Sequence, residues 1–160
     1  MNHPTRQRLH TGIIVVLLLV IAAMAYKFIV AGSVEKAADG RTAIALEPGE
    51  RDFVLREMRG FVAGLQQLTA ALARDDMKAA ASAARNMGLH AAHGAPLAMV
   101  AKLPLQFKTL GFGVHREFDT LADDAERLGD TKHTLGQLAG TLEKCVACHD
   151  AYQFKTGTAP

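Results

Sequence analysis

Residues 134–152 read TLGQLAGTLEKCVACHDAY. Leu135, Leu138, Leu142, Cys145, His149 and Tyr152 recur at intervals of three and four, which places them along one face of a helix. Thr131 is a candidate cap for this helix, and the pattern continues to about Phe154. The stretch predicts a terminal amphipathic helix whose core-facing side carries two cysteines and a histidine.

Working backward, the same rhythm returns. From about Glu50 to Arg74, Val54, Met58, Phe61, Leu65, Leu68 and Leu72 are spaced four, three, four, three, four, as in a bundle seam. Asp75 and Asp76 interrupt it, and Asp76 can cap the next helix. That helix, Met77 to His93, is Ala-rich, with Ala80, Ala84, Met87 and Ala91 on one face. Gly94, Pro96 and Pro104 break the pattern, and Leu97 to Leu103 reads as either a helical turn or an ordered loop. A third long helix follows through Phe107, Leu110, Val114, Phe118, Leu121, Ala125 and Leu128, and Gly129-Asp130 ends it. Few aromatics (6%), no Trp and abundant Ala and Leu favour helix over sheet. The predicted class is all-α, an antiparallel up-down-up-down four-helix bundle over residues 50–155, with 156–160 a short tail.

The N-terminus predicts export. Met1 to Thr11 carries Arg6 and Arg8 without an acidic residue, and Ile13 to Tyr26 is uninterrupted apolar or small chain. Residues 1–32 read as a signal anchor spanning residues 12–32 of an inner membrane, or as a signal peptide cleaved after Ala25 within Ala23-Met24-Ala25. The anchor reading is preferred because the apolar run reaches spanning length once Lys27 snorkels to the interface. Both readings leave the arginines in the cytoplasm and send the rest across, to the periplasmic side in a bacterium. Residues 33–49 mix Gly, Ala, Pro and charge without a period and read as a linker. Of 18 Lys and Arg, three precede Ser33, leaving 15 against 16 Asp and Glu. The exported part is close to neutral, and no basic stripe interleaved with aromatics suggests nucleic acid.

Cys145-Val146-Ala147-Cys148-His149 is the attachment signal for c-type haem. Thiols three residues apart share one side of a helical turn, so both can reach the vinyl groups of one porphyrin as thioethers. The adjacent His149 can then turn its imidazole to the iron as proximal ligand. A Cys145–Cys148 disulfide would strain a helix, a thioredoxin-type pair needs a βαβ setting, and a zinc site needs further ligands that do not flank the motif. One covalent haem c is the expected cofactor.

A four-helix bundle with its only Cys-x-x-Cys-His near the end of the last helix resembles the cytochrome c′ family, including its low-spin members. The resemblance covers about residues 50–155 and is specific at Cys145, Cys148, His149 and Tyr152. Two features depart from the family, the N-terminal anchor and Gln153, where such proteins often carry Arg or Lys after the Tyr. In low-spin relatives the first helix supplies a Met as sixth ligand within a Met-Arg pair, and Met58-Arg59 resembles it. The resemblance implies Met58 as sixth ligand and Arg59 as a partner for a haem propionate. The alternatives are Met58 as core filler and Arg59 as a solvated surface group. His90, His93 and His115 are rival ligands or surface groups, with His115 placed beside its helix's core stripe. His133 lies far from the haem end. Phe53, Phe61, Phe107 and Phe112 are candidate apolar walls.

The expected function is a periplasmic single-electron carrier working with periplasmic or membrane redox proteins. The alternative is a five-coordinate haem module that binds or senses nitric oxide or carbon monoxide. Either is expected in preference to an enzyme, because no distal His-Arg pair is evident. Dimerisation through the first two helices occurs in the resembled family, and the Ala-rich second helix is compatible with a homodimer.

Overall fold

The computed structural model describes residues 3–157, with side chains from residue 8 onward. The Arg6 side chain and residues 158–160 of the expected tail lie outside the described part. The chain is predominantly helical, with one small sheet.

Helix α1 (His3–Ala25) continues into a wider π-helical turn, Tyr26–Ala31, before Gly32 turns the chain with φ +69°. The span Arg8–Ala31 is 24 residues, long and apolar enough to cross a membrane, and none of its most apolar stretch is buried in the protein. A membrane anchor and a signal sequence share those properties.

Residues 33–49, expected as a linker, instead form a β-hairpin, β1 (Val34–Lys36) and β2 (Thr42–Leu46), paired antiparallel. The last helix also ends earlier than its pattern suggests. After Ala151 the chain leaves as β3 (Tyr152–Thr156), which adds to β2 in parallel, Thr42 opposite Tyr152 and Leu46 opposite Thr156. Strand β2 is therefore central, and Ala43, Ile44, Ala45 and Leu46 are all buried. A strand covered on both faces shows no alternation of apolar and polar residues, which is why its sequence reads as unstructured. The all-α expectation is thus corrected by a three-stranded sheet at one end of a helical body.

The helical body contains α2 (Pro48–Leu72), α3 (Met77–Arg85), α6 (Leu105–Leu128) and α7 (Thr131–Ala151). Short helices α4 (Leu89–Ala92) and α5 (Leu97–Lys102) connect α3 to α6, so residues 97–103 resolve as a helical turn. Helix α2 opens with Pro48 in its first turn and a Glu47/Glu50 capping box. Asp76 caps α3 by accepting from the Ala79 N–H at 2.9 Å, as expected. Helix α7 is capped by Asp130, which accepts from the His133 N–H at 3.0 Å, rather than by Thr131; the Thr131 hydroxyl donates to Asp75 instead.

Phe118 lies fully buried where α2, α3 and α6 meet, among Leu68, Ala84, Met87 and Leu121. A second apolar cluster sits under the sheet and joins Ile44, Leu46, Val54, Met99 and Leu103. The Ala-rich α3 allows close approach, and Gly64 of α2 has no room for a Cβ against the Met87 side chain. Helix α3 does not continue to His93 as the sequence suggests. It stops at Arg85, and α6 secures the break. His115 Nδ1 lies 2.8 Å from the Met87 carbonyl and 3.1 Å from that of Gly88, while the Asp119 carboxylate accepts from the Leu89 N–H at 3.0 Å.

Glu50 joins α2 to α5 through a 2.7 Å ion pair with Lys102. Burial pushes its carboxyl upward, but the Lys102 ammonium and the Glu47 N–H outweigh that and hold it below the usual 4.5. A depressed carboxylate stabilises the fold above its unfolded value and loses that contribution as pH falls through the folded one. Glu50→Gln is therefore expected to destabilise the protein near neutrality, with the gap to wild type closing below about pH 4.5. Urea unfolding at several pH values measures this.

Candidate functional site

Helices α6 and α7 run antiparallel in a register that places the cysteines. Gln137 donates to Asp124 at 2.7 Å, and Lys144 pairs with Glu117, seven residues further along α7 and seven back along α6. The same register sets Cys145–His149 beside residues 112–116. Tyr152 continues it, with its hydroxyl 3.5 Å from Gln106 and its ring edge-on to Phe107 at 5.2 Å. The motif therefore lies toward the sheet end of the helical body.

The face of α7 turned to the core differs from the one its apolar spacing suggests. Thr134, Leu138 and Thr141 are buried, with Cys145 half-buried, whereas Leu135 and Leu142 are exposed. Threonines tolerate this burial because each hydroxyl bonds back to a carbonyl four residues earlier, Thr134 to Asp130 at 2.9 Å and Thr141 to Gln137 at 3.1 Å. The ties of Gln137 and Lys144 to α6 set the rotation. They leave a row of Leu135, Leu142, Val146 and His149 outside the packed core.

That row is the exposed side of α7. The closely packed pairs are α2 with α3, α3 with α6 and α6 with α7; among the described residues α2 and α7 are not such a pair. Helix α2 meets α3 through Gly64, Leu68 and Ala71. By helical spacing Phe61, Leu65 and Met58 adjoin that face, Phe61 and Leu65 packing on the core cluster and Met58 on the cluster under the sheet, and Val62 lies beyond them in solvent. Val62 is 69% exposed and Val146 61%, large values for valines in long helices. Height along the body matches as well. The Phe61 ring stands 5.0 Å from His115 and 5.7 Å from Phe118, so Met58, about 4.5 Å nearer the sheet, is level with the Cys145–His149 turn.

Both cysteines are free and half-buried, and His149 is exposed. Burial raises the Cys145 thiol, and burial together with the neighbouring Cys145 pushes Cys148 up to about 11. Protonated thiols on a regular helix differ from the low-pKa pair of a dithiol oxidoreductase. Among the described residues no group of three or more His, Cys, Asp or Glu is arranged to hold a metal ion by itself.

The remaining candidates separate. Met58 is half-buried and packs against the cluster under the sheet. Arg59 is exposed and makes no ion pair among the described residues. His90 and His93 are exposed on either side of one helical turn, with ring centroids 5.5 Å apart. His115, expected beside its core stripe, is buried and committed to the Met87 and Gly88 carbonyls, on the side of α6 that meets α3. His133 stands at the far end of α7, 3.7 Å from Asp124. Phe61 packs on the core cluster against Phe118, Phe53 and Phe107 pack under the sheet, and Phe112 is half-buried.

Arg41, in the segment read as a linker, is a site residue that sequence reasoning missed. From the foot of β2 its guanidinium donates to the His149 carbonyl and to Gln153 Oε1, both at 3.3 Å, and pairs with Asp39 at 2.7 Å. A cation there satisfies an unpaired carbonyl at the end of α7 and complements the helix dipole. It also puts a basic group beside Gln153, where the sequence lacks one. No motif signals this, because the contact spans 108 residues.

A separate cavity of about 430 Å³ lies between α2 and α3, lined by Gln66, Gln67, Arg74, Ser82 and Asn86. Alanines of both helices complete its lining, and it contains none of the motif residues. Comparison of the chain with protein families, curated proteins and solved structures found no match in any of the three.

Proposed function

We propose that this chain is an exported c-type cytochrome with one covalent haem, held between α2 and α7 of a four-helix bundle of the cytochrome c′ kind, and that it carries single electrons. The observation that carries the reading is the Cys145-x-x-Cys148-His149 turn, with free thiols beside the exposed Leu142 and Val146 and with Met58 of α2 at the same height. The donor set fits the group: two thiols for thioethers, one exposed imidazole and flanking apolar walls in Phe61, Leu65 and Leu142. Cys145 and Cys148 would anchor it through thioethers, and His149 and Met58 would ligate the iron. When bound, the haem supplies a one-electron iron couple, and thioether ligation favours electron transfer over ligand binding. Arg41 fixes the carbonyl end of the His149 turn. Arg59, one residue along α2, is the candidate partner for a propionate. The protein acts on the periplasmic side of a bacterial inner membrane, with periplasmic or membrane redox proteins as partners.

The test is the optical spectrum of the ferric protein. Wild type is expected to be low-spin and Met58→Ala high-spin. A wild type that is already five-coordinate sinks the carrier reading and supports a module binding nitric oxide or carbon monoxide. One observation favours that second reading: Met58 packs in the cluster with Val54 and Met99, where it can serve as filler.

A further inference from the structure

The span Arg8–Ala31 does not simply tether the domain, because its end is docked on the helical body. Lys108, in the first turns of α6, donates its Nζ to the carbonyls of Phe28 at 2.8 Å and Ile29 at 3.2 Å. These are end-of-helix carbonyls, and a lysine beside them satisfies orphan acceptors and complements the dipole. Gly32 then lies so close to the α5–α6 connection that a Cβ would fall 2.6 Å from the Lys102 carbonyl oxygen and from the Pro104 nitrogen. Ser33 seals the joint, its N–H donating to Lys102 at 2.7 Å and its carbonyl accepting from Ala45 at 2.8 Å. Strand β2, which holds Ala45, is hydrogen-bonded to β3, the strand that leaves the His149 helix.

The joint and the motif thus share one end of the body. Residues 112–116, level with Cys145–His149, stand about 6–12 Å along α6 from Lys108, whereas Leu128 stands about 30 Å away. The span of 24 residues is about 36 Å long, somewhat more than the roughly 30 Å of a hydrocarbon core. Its last turns, with exposed Tyr26 and Phe28 and the charge of Lys27, have the composition of the interfacial belt. Leu105, one helical turn before Lys108, is 43% exposed, and Leu97, on the α5 that packs beside the π-helical turn, is 85% exposed.

We infer that the Lys108–Gly32 joint clamps the membrane span to the helical body, so that the end bearing Cys145–His149 lies against the phospholipid surface and the Leu128 end points away. This rests on the anchored reading of the N-terminal span. Its consequence is that electrons leave and enter within about a turn or two of helix from the headgroups, which suits redox partners held in the same membrane.

The test uses the full haem-loaded chain in phosphatidylcholine–phosphatidylglycerol vesicles. Thioether formation consumes the two native thiols, so Leu105→Cys or Leu128→Cys takes a single nitroxide label. Position 105 is expected to be severalfold less accessible to an aqueous nickel chelate, and more accessible to membrane-dissolved oxygen, than position 128. In Lys108→Met the contrast is expected to shrink while the protein still floats with the vesicles; Gly32→Ala repeats this through the other half of the joint. Equal water accessibility at 105 and 128 in floating wild type overturns the orientation and leaves the anchor standing. Wild type that does not float overturns the anchor and the orientation together. A contrast unchanged in both joint variants overturns the clamp.

Discussion

Replacing Cys145 and Cys148 together with serine is expected to abolish covalent haem altogether. With both sulfurs removed no thioether can form, and only the His149 imidazole remains to hold the iron. Each single variant should retain one thioether and a bound but less securely held haem. Haem-dependent peroxidase staining of the denatured polypeptide reads the result, together with extraction into acidified organic solvent. Wild type should keep its colour with the protein and the double variant should not. Haem that leaves denatured wild type would remove the basis of the proposed function. The effect should also reach stability. Val62 of α2 and Leu142 and Val146 of α7 are exposed, and an apolar group seated between these helices would cover surface that the protein itself leaves open. The double variant is therefore expected to unfold at lower temperature than wild type.

Phe118→Ala is expected to be the most destabilising single core substitution. The ring is fully buried and meets elements from α2, α3 and α6, including Phe61 at 5.7 Å. Truncating a buried Phe to Ala removes its transfer free energy and leaves a cavity, together about 3–5 kcal/mol. That is a large share of the roughly 5–15 kcal/mol that stabilises a typical domain. Thermal unfolding followed by circular dichroism should show a midpoint more than about 10 °C lower. Collapse into the space would shift Phe61, which packs on Phe118 from α2. Haem absorption should then broaden even at temperatures where the variant remains folded. A midpoint within a few degrees of wild type would mean that α3, rich in small residues, closes the cavity.

How much of this was legible beforehand differs by element. The seams of α2 and α6 follow their apolar spacing, with Val54, Leu68 and Leu72 buried in one and Val114, Phe118, Leu121 and Ala125 in the other. Leu128, the last member of the α6 pattern, is exposed because the helix ends there at Gly129. The spacing of α3 runs past its end, since nothing local announces that His115 and Asp119 hold a break at Met87–Leu89. Neither part of the sheet carries a local signal. No Gly or Pro lies near the Ala151–Tyr152 junction, so a helical pattern runs on through a point where pairing with β2 pulls the backbone straight. Local propensity is weak enough for a parallel ladder and an apolar cluster to override it.

The chemistry of Cys145, Cys148 and His149 belongs to the sequence alone, since three residues within one helical turn need no distant partner to define their spacing. The length and apolar character of the N-terminal span are likewise composition, and need only counting. Tertiary structure decided what surrounds them. Two buried threonines and the pairs Asp124–Gln137 and Glu117–Lys144 rotate α7 so that part of its apolar row is exposed instead of turned to the core. Arg41 reaches the His149 turn across the sheet, and Lys108 reaches the end of the apolar N-terminal span from a helix 79 residues away. Such contacts depend on where whole elements settle when they bury their surfaces against one another, and no local pattern of residues encodes that.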